Sequence, residues 1–155
     1  MKKFALVVVA LLLGCAAAAS AAVPQRSVSV LTSSTKPGAK PVALMLSLTY
    51  EMQCGNPGRT PLTLTLPSQM TAPAKLSRSE VLLNGKPAKS AVIHGSKVTI
   101  TIEQPQFLTC DVIGMGTLKV VILKKAGLGN PKKPGIYGFP IEIGPIKGTP
   151  MLRIA

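Results

Sequence analysis

The sequence has no tryptophan, a single histidine and only five carboxylate side chains among its 155 residues. Acid–base and metal chemistry therefore have little to draw on. The acidic deficit leaves 18 Lys and Arg barely opposed, for a formal net charge of +13 with the histidine neutral. Aromatics make up only 3%, too few for the stacking surfaces on which proteins hold single-stranded nucleic acid. Cysteine occurs three times and never as Cys-x-x-Cys, which leaves too few ligands for a metal site. Beyond residue 22 no uncharged apolar run approaches the roughly 20 residues of a membrane-spanning helix. Apolar residues are 46% of the chain and charged ones 15%, which is too apolar for disorder. The 14 Gly and 14 Pro are scattered, unlike collagen or low-complexity sequence. The length suits one domain.

What is present begins with a targeting pattern. Met1-Lys2-Lys3 is a short basic stretch, Phe4 to Leu13 is unbroken apolar sequence, and Ala16 to Ala22 are small residues. These are the three parts of a secretory signal peptide, here residues 1–22, with small-x-small cleavage sites before Ala22 and Val23. Leu12-Leu13-Gly14-Cys15 also resembles a bacterial lipobox. On that alternative the signal is 1–14 and Cys15 is lipidated, anchoring the protein. Either way the protein is exported to periplasm, cell surface or medium. Losing Lys2 and Lys3 with the signal takes the charge from +13 to +11. Two further cysteines, Cys54 and Cys110, then meet an oxidising compartment, where one disulfide is the default expectation.

From Val23 onward apolar residues alternate with polar ones at period two. Arg26–Leu31, Val42–Tyr50, Thr60–Pro67, Glu80–Leu83, Ala88–Ile93, Lys97–Glu103, Thr117–Leu123 and Gly135–Ile143 all read as strands. Asn84-Gly85 is a hairpin signal, because both residues accept positive φ. Turn clusters separate the runs, including Lys36-Pro-Gly and Gly127 to Pro134, and no apolar stripe persists at helical spacing. The pattern predicts an all-β, antiparallel sandwich of about seven to nine strands over residues 23–146, with 147–155 as a tail that either frays or adds a short edge strand.

Several segments, in order, resemble a known module. They are Val81-Leu-Leu-Asn-Gly-Lys-Pro-Ala88, Ile93-His-Gly-Ser-Lys-Val-Thr-Ile-Thr101, Gly116-Thr-Leu-Lys-Val120, Ala126-Gly-Leu-Gly-Asn-Pro131 and Pro134-Gly-Ile-Tyr-Gly-Phe139. Together they are similar to the immunoglobulin-like β-sandwich modules of bacterial secreted and S-layer-type surface proteins, over about the C-terminal half. The resemblance implies an immunoglobulin-like fold and a surface role. Such modules are usually repeated or joined to anchoring or catalytic domains, whereas this sequence holds one copy. The cysteine pair and the basic charge also depart from the pattern, and no tryptophan is available to pack on a disulfide as in antibody domains.

Few residues are arranged for chemistry. A Ser/His/Asp arrangement would have to use His94 and Asp111, and His94 sits in a His-Gly-Ser turn. Paired carboxylates for glycoside chemistry would come from Glu51, Glu80, Glu103, Asp111 and Glu142, of which the four glutamates lie in or beside alternating strands. Met45, Met52, Met70, Met115 and Met151, with His94, raise a copper carrier, but they are dispersed rather than clustered. Lys124, Lys125, Lys132 and Lys133 form the densest basic group, around a Gly- and Pro-rich loop. Export removes nucleic acid as their partner and leaves anionic envelope polymers, lipid headgroups or acidic surface proteins. The expectation is a non-enzymatic structural or interaction module of the cell envelope, without cofactor or metal. The alternative is a small periplasmic carrier or ligand-binding lipoprotein for copper or another small ligand.

Overall fold

The structure is a computed structural model that describes residues 27–52, 59–103, 114–144 and 146–155. Within them twelve strands form three antiparallel sheets, and there is no α-helix. The strands are β1 (Ser27–Thr32), β2 (Leu44–Met52), β3 (Arg59–Thr65), β4 (Val81–Leu83), β5 (Lys86–Pro87), β6 (Ser90–His94), β7 (Lys97–Glu103), β8 (Gly114–Ile122), β9 (Gly135–Gly138), β10 (Ile141–Ile143), β11 (Ile146–Gly148) and β12 (Met151–Ile154). Sheet I runs β1-β2-β8-β4-β5 and sheet II runs β11-β10-β3-β7-β6. A third, two-stranded sheet pairs β12 with β9.

Alternation decides which residues go inside. Leu44, Leu46 and Leu48 of β2 and Leu118, Val120 and Ile122 of β8 are buried from sheet I. From sheet II, Leu62 and Leu64 of β3, Val98, Ile100 and Ile102 of β7 and Ile141 of β10 meet them in a single apolar cluster. The intervening residues face outward, as period two requires. On sheet II these are the half-buried threonines Thr63, Thr65, Thr99 and Thr101. The all-β, antiparallel expectation holds. The number of strands exceeds the expected seven to nine because three segments divide or pair where a simple run was read.

The first division follows the hairpin. Asn84 and Gly85 take φ of 48° and 82°, as a two-residue turn with right-handed strand twist demands. The return strand pairs with β4 only over Lys86–Pro87. The chain then leaves for sheet II, where β6 pairs with β7, so the expected strand Ala88–Ile93 belongs to the opposite sheet. The second division falls in Gly135–Ile143. β9 pairs with β12 and β10 with β3, and Pro140, which has no N–H to give to a ladder, marks the crossing. The third concerns 147–155, where fraying or a short edge strand was expected. The segment does pair: β11 takes Lys147 and Gly148 into the edge of sheet II, and β12 buries Leu152 and Ile154 against the core. Four residues alternating exposed–buried suffice for a strand when an open partner edge is present.

Candidate anion-binding surface

Two loops meet at the end of sheet I where β2 begins. One, residues 33–43, joins β1 to β2; the other, 123–134, joins β8 to β9. The Gly38 N–H donates to the Pro131 carbonyl at 2.8 Å, the Asn130 N–H to Ala39 at 2.9 Å, and the Val42 N–H to Leu128 at 2.8 Å. A third segment joins through reciprocal bonds between Thr71 and Gly129, both 3.0 Å. Gly129 permits this approach: a Cβ there would lie 3.2 Å from the Thr71 Cβ and 3.4 Å from that of Lys40. The second loop is therefore fixed to the body through its backbone, with Ala126, Leu128 and Asn130 buried.

Asn130 is the pin. It is 2% exposed, and its Nδ2 amide donates to the Ser34 carbonyl at 2.7 Å and the Lys36 carbonyl at 3.0 Å. Its own Oδ1 is buried without a partner among the described residues. The two carbonyls also accept from the Thr32 hydroxyl and the Ala39 N–H respectively, so they are not orphaned when the amide is removed. Asn130→Leu should therefore cost about 1–3 kcal/mol, set by two lost hydrogen bonds and a relieved buried oxygen. Amide exchange is the sharper measurement: the Gly38 and Val42 N–H groups should lose protection while those in β7 keep theirs. Uniform protection across both would show that Asn130 does not lace the loops.

The lacing brings six lysines to one end. Lys36 and Lys40 stand on the first loop, Lys124, Lys125, Lys132 and Lys133 on the second, and all six side chains are exposed. The Lys132 Cγ lies 4.0 Å from a Cβ built on Gly38, across the seam. Neither loop contains Asp or Glu. The acidic side chain on an adjoining segment, Glu80, is engaged locally, accepting from the Ser77 N–H at 2.6 Å in a capping box. Ammonium groups so placed add their fields without internal neutralisation, which is the arrangement that attracts an anion. Lys124, Lys125, Lys132 and Lys133 are thus where the sequence put them, outside the sheets. Lys36 and Lys40 were missed, since only a long-range pairing makes them neighbours.

The other candidates are dispersed. His94 is exposed at the end of β6, opposite Lys97. Met70 is in the core, Met45 on the outer face of sheet I and Met151 on β12, so these three sulfurs do not converge. Glu142 pairs with Lys147 at 3.0 Å on sheet II, both exposed. Among the described residues no three His, Cys, Asp or Glu come together as a metal site would need, and no helix is long and apolar enough to cross a membrane. A depression of about 450 Å³ is lined by Pro61, Lys89, Ser90 and Thr101 on sheet II. Its walls are exposed or half-exposed side chains rather than an enclosed apolar chamber.

Cys15, Cys54 and Cys110, the signal segment and Asp111 lie outside the described residues. The strands that flank the latter two cysteines are in register with each other, Met52 opposite Gly114 and Arg59 opposite Glu103. That end of β2 is the one remote from the lysines.

No family model matches the chain, and no curated protein does. The crystal structure of BslA, a bacterial hydrophobin, is similar to it. The two superpose with a TM-score of 0.52 at 18% identity, covering 83% of this chain and 98% of that one. At that identity the likeness bears on the fold alone, and it places this arrangement of antiparallel sheets beside a known bacterial architecture.

Proposed function

We propose that the protein is an exported, non-enzymatic interaction module that holds anionic material of the cell envelope at its lysine end. The observation that carries this reading is the pair of laced loops, which presents six exposed lysines and no Asp or Glu from a backbone fixed by hydrogen bonds. A solvated loop has no need of such fixing. Pre-ordering lowers the entropy to be lost on binding, so the arrangement favours contact over mere solubility. The fold likeness to a bacterial hydrophobin and the resemblance to surface-protein modules support the same setting. The signal-like 1–22 segment supplies the route, and a Cys54–Cys110 disulfide belongs to this reading, with both residues in an oxidising compartment.

The test is retention of the purified mature protein on isolated cell envelopes at low and high salt. Exposed charges are screened within about 3 Å at molar ionic strength. Retention should therefore fall steeply with salt, and the Lys124→Gln, Lys125→Gln, Lys132→Gln, Lys133→Gln protein should be retained at least tenfold less at low salt. Adding Lys36→Gln and Lys40→Gln should weaken it further. Retention indifferent to salt and to all six substitutions would remove the reading.

A further inference from the structure

The two outer faces of the molecule differ. On sheet II the cross-strand row Lys147–Glu142–Thr63–Thr99–Val92 is mostly polar. On sheet I one row is apolar from edge to edge: Leu31 of β1 opposes Met45 of β2, Met45 opposes Val121 of β8, Val121 opposes Leu82 of β4, and Leu82 opposes Pro87 of β5. At about 4.8 Å between strands this row is about 19 Å across. Leu31 is 58% exposed and Met45 41%; Val121 and Leu82 are half-buried and Pro87 exposed. Ala43 and Leu123, both half-buried, lie two residues from Met45 and Val121 toward the lysine end, just outside the ladder.

Charge brackets this row. Lys119, exposed, lies on the same face two residues before Val121, about 7 Å along the strand. Lys124 and Lys125 follow Leu123 directly, leading into the six-lysine end. An apolar strip with cationic borders is complementary to a surface whose interior is apolar and whose boundary is anionic. A second copy of this chain is not such a surface. It would bring the same lysines against each other, in a molecule of net charge +13 before the signal is removed, and like charges juxtaposed at an interface disfavour that partner.

We infer that the outer face of sheet I is a docking face for an anionic lipid bilayer, with Leu31, Met45, Val121, Leu82 and Pro87 seated at the headgroup–acyl boundary and the bordering lysines on the headgroups. This deepens the proposed function and rests on it for the electrostatic half: it names lipid as the anionic material. The two halves differ in what salt does to them. Lysine attraction, worth roughly a factor of five per residue near an anionic leaflet, is screened, whereas burial of apolar surface is not.

The probe is a vesicle of phosphatidylcholine and phosphatidylglycerol in equal parts, with pure phosphatidylcholine vesicles as the neutral comparison. Because the chain has no tryptophan, Leu31→Trp gives a unique reporter on the row. Val92→Trp gives one on sheet II, at a position 41% exposed like Met45. The Leu31→Trp emission should shift to the blue with anionic vesicles, and the Val92→Trp emission should stay. The Leu31→Ser, Met45→Ser protein should bind anionic vesicles about tenfold more weakly. Its denaturation midpoint should be near that of the parent, since both side chains point outward.

Unshifted Leu31→Trp emission on vesicles that nevertheless bind through the lysines would overturn the docking face and leave the proposed function standing. So would retention on envelopes by a protein that ignores both vesicles, the partner then being polymer or protein. Self-association in sedimentation, lost on Leu31→Ser, Met45→Ser without any vesicle binding, would assign the row to a second copy and overturn the lipid assignment. A blue shift that persists in the six-lysine variant would keep the docking face and remove the electrostatic reading instead.

Discussion

Phe139→Ala should lower stability by about 3–5 kcal/mol, and a shift of the urea or thermal midpoint will show it. Phe139 has no solvent-exposed surface and is among the largest fully buried side chains of the molecule. It sits where the chain passes from β9 to β10, so its ring fills the core at the junction between the small sheet and sheet II. Its N–H donates to the Pro150 carbonyl at 3.0 Å, which fixes the backbone and limits collapse around a truncated side chain. A cavity that cannot collapse carries the larger penalty. Against a typical domain stability of about 5–15 kcal/mol, that loss is about a fifth of the whole or more. Tyr137, two residues earlier, is only half-buried, and its hydroxyl donates to the Lys133 carbonyl at 2.8 Å. Tyr137→Phe should therefore cost far less, within about 1.5 kcal/mol. Equal effects at the two positions, or none at Phe139, would show that the ring is not a core element.

The same pair shows what the sequence can tell and where it stops. Period two placed Tyr137 and Phe139 on one face, and scarcity of aromatics pointed that face inward; both residues do pack on the core. Nothing local reveals that the face changes sheets between them. A strand's partner is a non-local property, and alternation reports only which side chains share a side. The strands β1, β2, β3, β7 and β8 were legible because each carries five or more alternating residues. The short strand β5 was not, and the strands of the C-terminal segment were legible only as one of two alternatives, because two to four residues carry too little periodicity to stand above noise. Their partners, rather than their own sequence, make them strands.

The lysine end divides along the same line. Lys124, Lys125, Lys132 and Lys133 stand out as a run in the sequence, so they were found. Lys36 and Lys40 are about ninety residues away in the chain and join the group only through Asn130, Gly38 and Val42. Asn130-Pro131 read as an extended turn, which is what the residue before proline prefers. That its amide would reach across to Ser34 and Lys36 is a fact of tertiary structure. The apolar row on sheet I is a similar case: Leu31, Met45, Val121, Leu82 and Pro87 are unremarkable singly, and only the register aligns them.

Removal of Met151–Ala155 should destabilise the protein by about 4 kcal/mol or more. A frayed tail would be dispensable. In the structure Leu152 lies opposite Tyr137 and Ile154 opposite Gly135, both buried. Burying one such side chain contributes about 1.5–3 kcal/mol, and the strand's backbone pairs with β9 along its whole length. Without β12, β9 becomes an open edge four residues long carrying Ile136, already 66% exposed, so the shortened protein should also aggregate more readily. The Ala155 N–H donates to the Thr35 carbonyl at 2.9 Å, which ties this strand to the first lysine loop. Truncation should accordingly loosen that loop, seen as faster exchange at Gly38, and weaken retention on envelopes even where the shortened protein is still folded. Ile154→Asp should reproduce most of the stability loss by placing a charge at a core position. Arg153→Ala, on the outward side of the same strand, should stay within about 0.5 kcal/mol of the parent. A truncated protein with the parent's denaturation midpoint would return residues 151–155 to the status of a tail and remove β12 from the fold.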